Sequence, residues 1–195
     1  MPQSMKKKYP SCRVIIDCTE VKVQTPSSMV LVSEFFSNYK NHRTLKALIG
    51  CTPSGGCSFV SQLFTGNISD VEIVRRSVFL NLHFDVGDSV MADRGFTIAK
   101  DLPEGVTLNI PSFLNGREQF DQSEVIESQA IAQERIHIER RISRIKDFHI
   151  FDGVISLSIA GSVNQIFTSC CLLNNFQPGI IAFLPADGHD FCKEE

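Results

Sequence analysis

Residues 122–148 carry the pattern that most narrows what this chain can fold into. Ile131, Arg135, Ile138, Ile142 and Ile145 recur at spacings of four, three, four and three. That period puts them on one face of an α-helix, and a stripe that is apolar at four of five positions is stable only against another apolar surface. The earlier part of the chain offers such a surface. RVIIDCTEV (13–21) is a β-branched run that ends in acidic and polar residues, as a buried strand does. TLKALIGCTP (44–53) and CSFVSQLFTG (57–66) are strand-like runs joined by SGG, a hairpin signal with glycine where positive φ is needed. Strands gathered early and helices late predict an α/β domain, a mixed sheet whose faces the helices cover.

The remaining segments fit around that frame. TPSS (25–28) predicts a turn, and the aromatic, polar stretch 33–43 predicts a loop or short irregular piece. Ser69 or Asp70 is positioned to cap a helix running to about Leu82. DSVMADRGF (88–96) begins as a strand and breaks at Arg94-Gly95, and TLNIPSF (107–113) is a short extended piece. A second apolar, helix-like segment covers 154–175 and is closed by Pro178, and the chain beyond Pro185 is expected to fray. The expected organisation is a disordered tail over 1–12, one domain over 13–178 and a C-terminal tail over 179–195. No internal repeat, low-complexity stretch or linker interrupts it.

With 195 residues, 43% of them hydrophobic, the chain has material for one domain with a true core. Seven cysteines (Cys12, Cys18, Cys51, Cys57, Cys170, Cys171 and Cys192) include no CxxC pair and no zinc-site spacing. They are read as reduced, mostly buried small hydrophobes. The start of the chain lacks the apolar core of a signal peptide, and no run of 18 apolar residues exists, so no membrane span is expected. Lys6, Lys7 and Lys8 read either as a nuclear-import patch or as a solvated tail.

A formal net charge of −3 does not announce a nucleic-acid binder, but a whole-chain average hides a local stripe. Between Arg135 and Lys146, five basic residues (Arg135, Arg140, Arg141, Arg144 and Lys146) stand against Glu139 alone, a net +4. Phosphate contact is the simplest use of such a segment. The plain alternative is a solvated helix face with pairs to Glu134 and Glu139.

Two strands end in an aspartate after an apolar run, VIID17 and SVMAD93. A carboxylate there is costly unless water, a cation or a hydrogen-bond donor compensates it. If the strands are neighbours, the two carboxylates come together and raise each other's pKa unless a divalent cation sits between them. Oxygen-only ligands suit Mg²⁺ or Mn²⁺ rather than Zn²⁺. Glu139, on the long helix beside Arg135, Ser143 and Lys146, is the candidate third carboxylate.

The segments around these acids resemble a known family. VIIDCTEV, YKNHRTLKALIGCTPSGGCSFVSQLFTGNISD, VMADRGF, LNIPSF and AQERIHIERRISRIKDF, in that order, are similar to the DDE superfamily endonuclease domain of Harbinger-type transposases from about Arg13 to Asn175. The resemblance implies an RNase H-like fold, a divalent metal (Mg²⁺ or Mn²⁺) and cleavage or strand transfer on DNA in the nucleus. By position it implies Asp17, Asp93 and Glu139 as the catalytic, metal-holding carboxylates, separated by 76 and 46 residues. Asp70 in GNISD matches a recurrent family position, as a helix cap or an added metal ligand. Lys40, His42, Arg43 and Lys46 become candidates to face DNA, and His137 a candidate to orient DNA or a carboxylate. Only about a dozen residues precede the first strand, whereas such transposases carry an N-terminal DNA-binding region and many use a separate Myb-like partner. Site recognition is therefore expected from such a partner. The alternative reading is a domesticated module that keeps the fold and binds DNA or protein without cutting.

Overall fold

The structure, a computed structural model, describes residues 1–179 apart from 115 and 118. Its axis is strand β1 (Cys12–Lys22). On one side β1 pairs antiparallel with β3 (His42–Cys51), Asp17 opposite Ile49 and Glu20 opposite Lys46. On the other it pairs parallel with β6 (Ser89–Met91), which pairs parallel with β7 (Thr107–Asn109). The short strands β2 (Phe36–Ser37), β4 (Cys57–Val60) and β5 (Phe64–Thr65) all pair antiparallel with β3. In the hairpin between β3 and β4, Gly55 has φ of 87°, the left-handed backbone that glycine tolerates best.

Alternation along the central strands divides the core in two. Ile15 and Val21 join Ala47, Ile49 and Met91 on one face, while Val14 and Ile16 join Leu48, Val90 and Ala92 on the other. Burial on both faces is why the sequence of β1 reads as a continuous apolar run and not an alternating one. Helix α4 (Gln122–Lys146) covers the first face with Ile131, Ile138 and Ile145, and begins in a capping box formed by Asp121 and Glu124. Helix α5 (Ala160–Leu173) adds Val163, Phe167 and Cys171 to the same core. The second face is covered by Ile73 and Val74 of α3 (Asp70–Arg76), by Phe79 from the 3-10 turn Val78–Asn81, and by Phe96 and Ile98. Phe79 packs edge-on against Phe59 and Phe84, ring centroids 5.3 and 5.8 Å away. A mixed sheet between helical layers is the α/β, RNase H-like architecture the sequence predicts.

The departures are local. The expected disordered tail instead contains α1 (Gln3–Lys8), whose one large apolar residue, Met5, is fully buried in the first core. The expected loop over 33–43 is largely structured: α2 (Met29–Phe35) runs directly into β2. Helix α3 stops at Arg76, short of Leu82, because Ser77 turns extended and its hydroxyl accepts from the amide of Phe79 to start the 3-10 turn. The expected fraying beyond Pro185 lies outside the described residues. Six cysteines are free thiols among the described residues, five of them buried and Cys18 partly so. No helix there is long and apolar enough to cross a membrane.

Candidate active site

Asp17 sits on β1 with the parity of Ile15, Thr19 and Val21, so it belongs to the face that α4 covers. Asp93 comes two residues after the end of β6. Because β1 and β6 are parallel neighbours, the chain leaves them in the same direction and both acids arrive at one end of the sheet. Each carboxylate is oriented by an adjacent amide: Asp17 Oδ1 accepts from Cys18 N at 2.8 Å, and Asp93 Oδ1 from Arg94 N at 2.7 Å. Both face one side chain of α4. Arg135 places Nη2 3.7 Å from Asp17 Oδ2 and Nη1 3.2 Å from Asp93 Oδ1. Glu139, one turn further along α4 and exposed, lines the same cleft of about 520 Å³, together with Asp17, Asp70, Asp93, Lys46 and Lys146.

Charge in this cleft is not balanced. Burial pushes the Asp17 carboxyl up to about 6, although Arg135 and the Cys18 amide pull it down, and the neighbouring charges of Asp93 and Asp70 push it further up. A carboxylate raised in spite of an adjacent guanidinium marks a place that still favours added positive charge.

A second polar row lies on the α3 side of the sheet. Lys46 Nζ is 2.6 Å from Asp70 Oδ1 and 3.9 Å from Glu20 Oε1, and Thr44 Oγ1 donates to Glu20 Oε2 at 2.7 Å. Burial depresses the Lys46 ammonium, but the hydrogen bond and charge of Asp70 outweigh it and its pKa is raised overall. The cap of α3 is Ser69, whose hydroxyl accepts from Glu72 N at 3.2 Å. Asp70 is thereby left as a cleft carboxylate paired with a lysine. Glu20 and Thr44 were not singled out by sequence reasoning. Glu20 stands three residues after Asp17 in the same buried strand, which was a usable signal, but its partner depends on a strand register that the pattern does not reveal.

The basic stripe of α4 divides among several tasks. Arg135 faces the acids, Arg140 is exposed, and Lys146 lines the cleft, where burial and then Lys40 lower its pKa. Arg144 donates to the Pro178 carbonyl. Arg141 requires a correction: it falls three residues after Ile138 and four before Ile145, inside the buried stripe. Its Nε donates to Gly55 O at 2.7 Å and its Nη1 to Asn174 O at 2.8 Å, so its guanidinium is spent on carbonyls away from the cleft. His137 does not line the cleft; its Nε2 lies 3.8 Å from Glu134 Oε2, and burial holds its pKa down. Of the four basic residues around β3, Lys40 and Lys46 line the cleft, while Arg43 lies over the Phe36 ring and His42 meets the Arg43 carbonyl.

The donor set suits a hard divalent cation. Asp17, Asp93 and Glu139 offer oxygen only, and the excess negative charge asks for a cation. Among the described residues, no three His, Cys, Asp or Glu side chains are already clustered as an ion cage. Arg135 stands at Asp17 and Asp93, and Lys46 is bound to Asp70.

Residues 16–175, which include all of these acids, match the family model described as DDE superfamily endonuclease. No significant match was found among curated proteins or among solved structures.

Proposed function

The chain belongs to the DDE superfamily endonucleases, and we propose that it is the divalent-metal-dependent DNA cleavage and strand-transfer domain of a Harbinger-type transposase lineage, acting in the nucleus. Asp17, Asp93 and Glu139 are the residues that would hold Mg²⁺ or Mn²⁺, with Asp70 as an added ligand once released by Lys46. When bound, the cation supplies Lewis-acid chemistry at the phosphodiester, favouring the attacking oxygen and the leaving one. The observation that carries this reading is the convergence of Asp17 and Asp93, from adjacent parallel strands, on one residue of the helix that bears Glu139.

The chain's own side chains account for the rest of the work. The Cys18 and Arg94 amides fix the two aspartates in orientation, so ligand geometry is largely pre-set by backbone. Lys40 and Lys146 at the cleft would contact phosphates and hold the scissile group in line. Sequence-specific choice of the element ends is assigned to a separate Myb-like DNA-binding partner, following the family resemblance.

Nicking of supercoiled plasmid in Mn²⁺ tests the reading. Wild type should nick slowly, and Glu139→Gln should lose at least about a hundredfold in rate. Nicking by Glu139→Gln at the wild-type rate would remove Glu139 from the site. DNA binding with no Mn²⁺-dependent nicking by wild type would leave the non-cutting, domesticated module as the reading.

A further inference from the structure

Two arginines of α4 are buried in very different ways. Arg141 is fully committed: Nε, Nη1 and Nη2 all donate to the carbonyls of Gly55 or Asn174. Arg135 is equally buried, yet its two Nη atoms are divided between two carboxylates at 3.2 and 3.7 Å, and its Nε has no hydrogen-bond partner. A guanidinium that grips one carboxylate with two parallel bonds is fixed by geometry. Arg135 is held by charge between two acids from adjacent strands.

We propose that Arg135 is the built-in counter-cation of the metal-free centre, and that a divalent cation must displace its guanidinium from Asp17 and Asp93 in order to bind. This rests on the metal-site reading above and adds a competition to it. Without any cation, the half-buried Asp17 carboxylate and the exposed Asp93 carboxylate would repel each other at the end of the sheet. With Arg135 in place the end of the sheet is ordered, at the expense of metal affinity. Glu139 lies four residues on along the same helix, so the group that vacates the acids and the group that joins them are carried by adjacent turns. Arg135 is thus a positioning residue, acting on the metal through the two aspartates.

The test is Mn²⁺ binding and thermal unfolding of the full chain, comparing wild type, Arg135→Gln, Arg135→Lys and Asp93→Asn at about pH 8. Metal-free Arg135→Gln should melt several degrees below wild type. Mn²⁺ should raise its melting point by more than it raises that of wild type, and its Kd should be tighter on the order of tenfold. A merely structural arginine would lower both melting points alike and leave the Mn²⁺-induced difference unchanged. If Arg135→Gln does not fold without metal, Arg135→Lys carries the test, because a lysine cannot span both acids and should also bind Mn²⁺ more tightly than wild type. Wild type binding Mn²⁺ with Asp93→Asn impaired, while both Arg135 variants bind equally or more weakly, would overturn the competition and leave the site intact. No Mn²⁺ binding by wild type or by either Arg135 variant would overturn both.

Discussion

At the scale of single residues, Asp17 holds the clearest measurable consequence. Its carboxyl titrates at about 6 in the folded protein against an ordinary value of 3.8. The folded state therefore binds this proton more tightly than the unfolded one. Its contribution to stability is full at low pH, falls as pH rises from about 4 to about 6, and stays low above that window. Asp17→Asn removes the ionisation. It should stabilise the metal-free protein at about pH 7.5 by about 3 kcal/mol, with the gain vanishing near pH 3. Urea unfolding across that range checks it, and a neutral or destabilising effect at the higher pH would refute it. Excess Mn²⁺ should reverse the sign, since the ionised carboxylate then has a cation to hold. That Asp17 and Asp93 were legible in the sequence follows from the cost of charge after VII and SVMA. Arg135 was legible as the one charged position of the helical stripe, as a neighbour of Glu139 and as a member of the basic segment. Its pairing with both acids depends on the parallel adjacency of β1 and β6, which no local pattern encodes.

At the scale of elements, α4 shows what periodicity reveals and where it stops. The stripe through Ile131, Ile138 and Ile145 was readable, and so was the start of the helical pattern near residue 122, though not its capping box. Arg141 was counted with the basic segment although it obeys the same period as the isoleucines, because its partners, the hairpin carbonyl of Gly55 and the end of α5, lie far away in sequence. Arg141→Met keeps the length and removes the donors. It should cost about 3 kcal/mol in a urea melt, because buried carbonyls are left unpaired. Mn²⁺ affinity should be unchanged, which separates it from Arg135→Gln. A loss below about 1 kcal/mol would mean those carbonyls find other donors. Helix α3 offers a smaller check. Ser69 was named as a candidate cap on sequence and its hydroxyl does accept from Glu72 N. Ser69→Ala should cost about 1 kcal/mol, and the same urea melts would show it. Helix α1 escaped notice because five polar or basic residues conceal one methionine, and a lone buried side chain has no period.

At the scale of the whole molecule, the order of elements was enough to read a mixed sheet covered by helices, since early strands and late helices leave few ways to bury both sheet faces, while the RNase H-like form was implied by the family resemblance. How the molecule meets DNA was less legible, because the net +4 of residues 135–146 treated five cations as equivalent. The fold separates them. Arg141 is buried against carbonyls, Arg144 meets the Pro178 carbonyl, and Arg135 lies across the acids. Lys146 and Lys40 line the cleft, and Arg140 is exposed on α4, so these three remain for phosphate. Each phosphate contact on duplex DNA contributes about −0.9 to the slope of log affinity against log salt, so three contacts predict a slope near −3. Binding to generic duplex should accordingly be weak, lost within a few hundred millimolar salt, and indifferent to sequence. Arg140→Gln should make the slope shallower by about 1, whereas Arg141→Met should leave it unchanged. Fluorescence anisotropy on a random duplex across a salt series measures both. A slope steeper than about −6, or equal changes from the two substitutions, would show that the stripe acts as one surface after all and that the division among buried, paired and exposed cations does not govern binding.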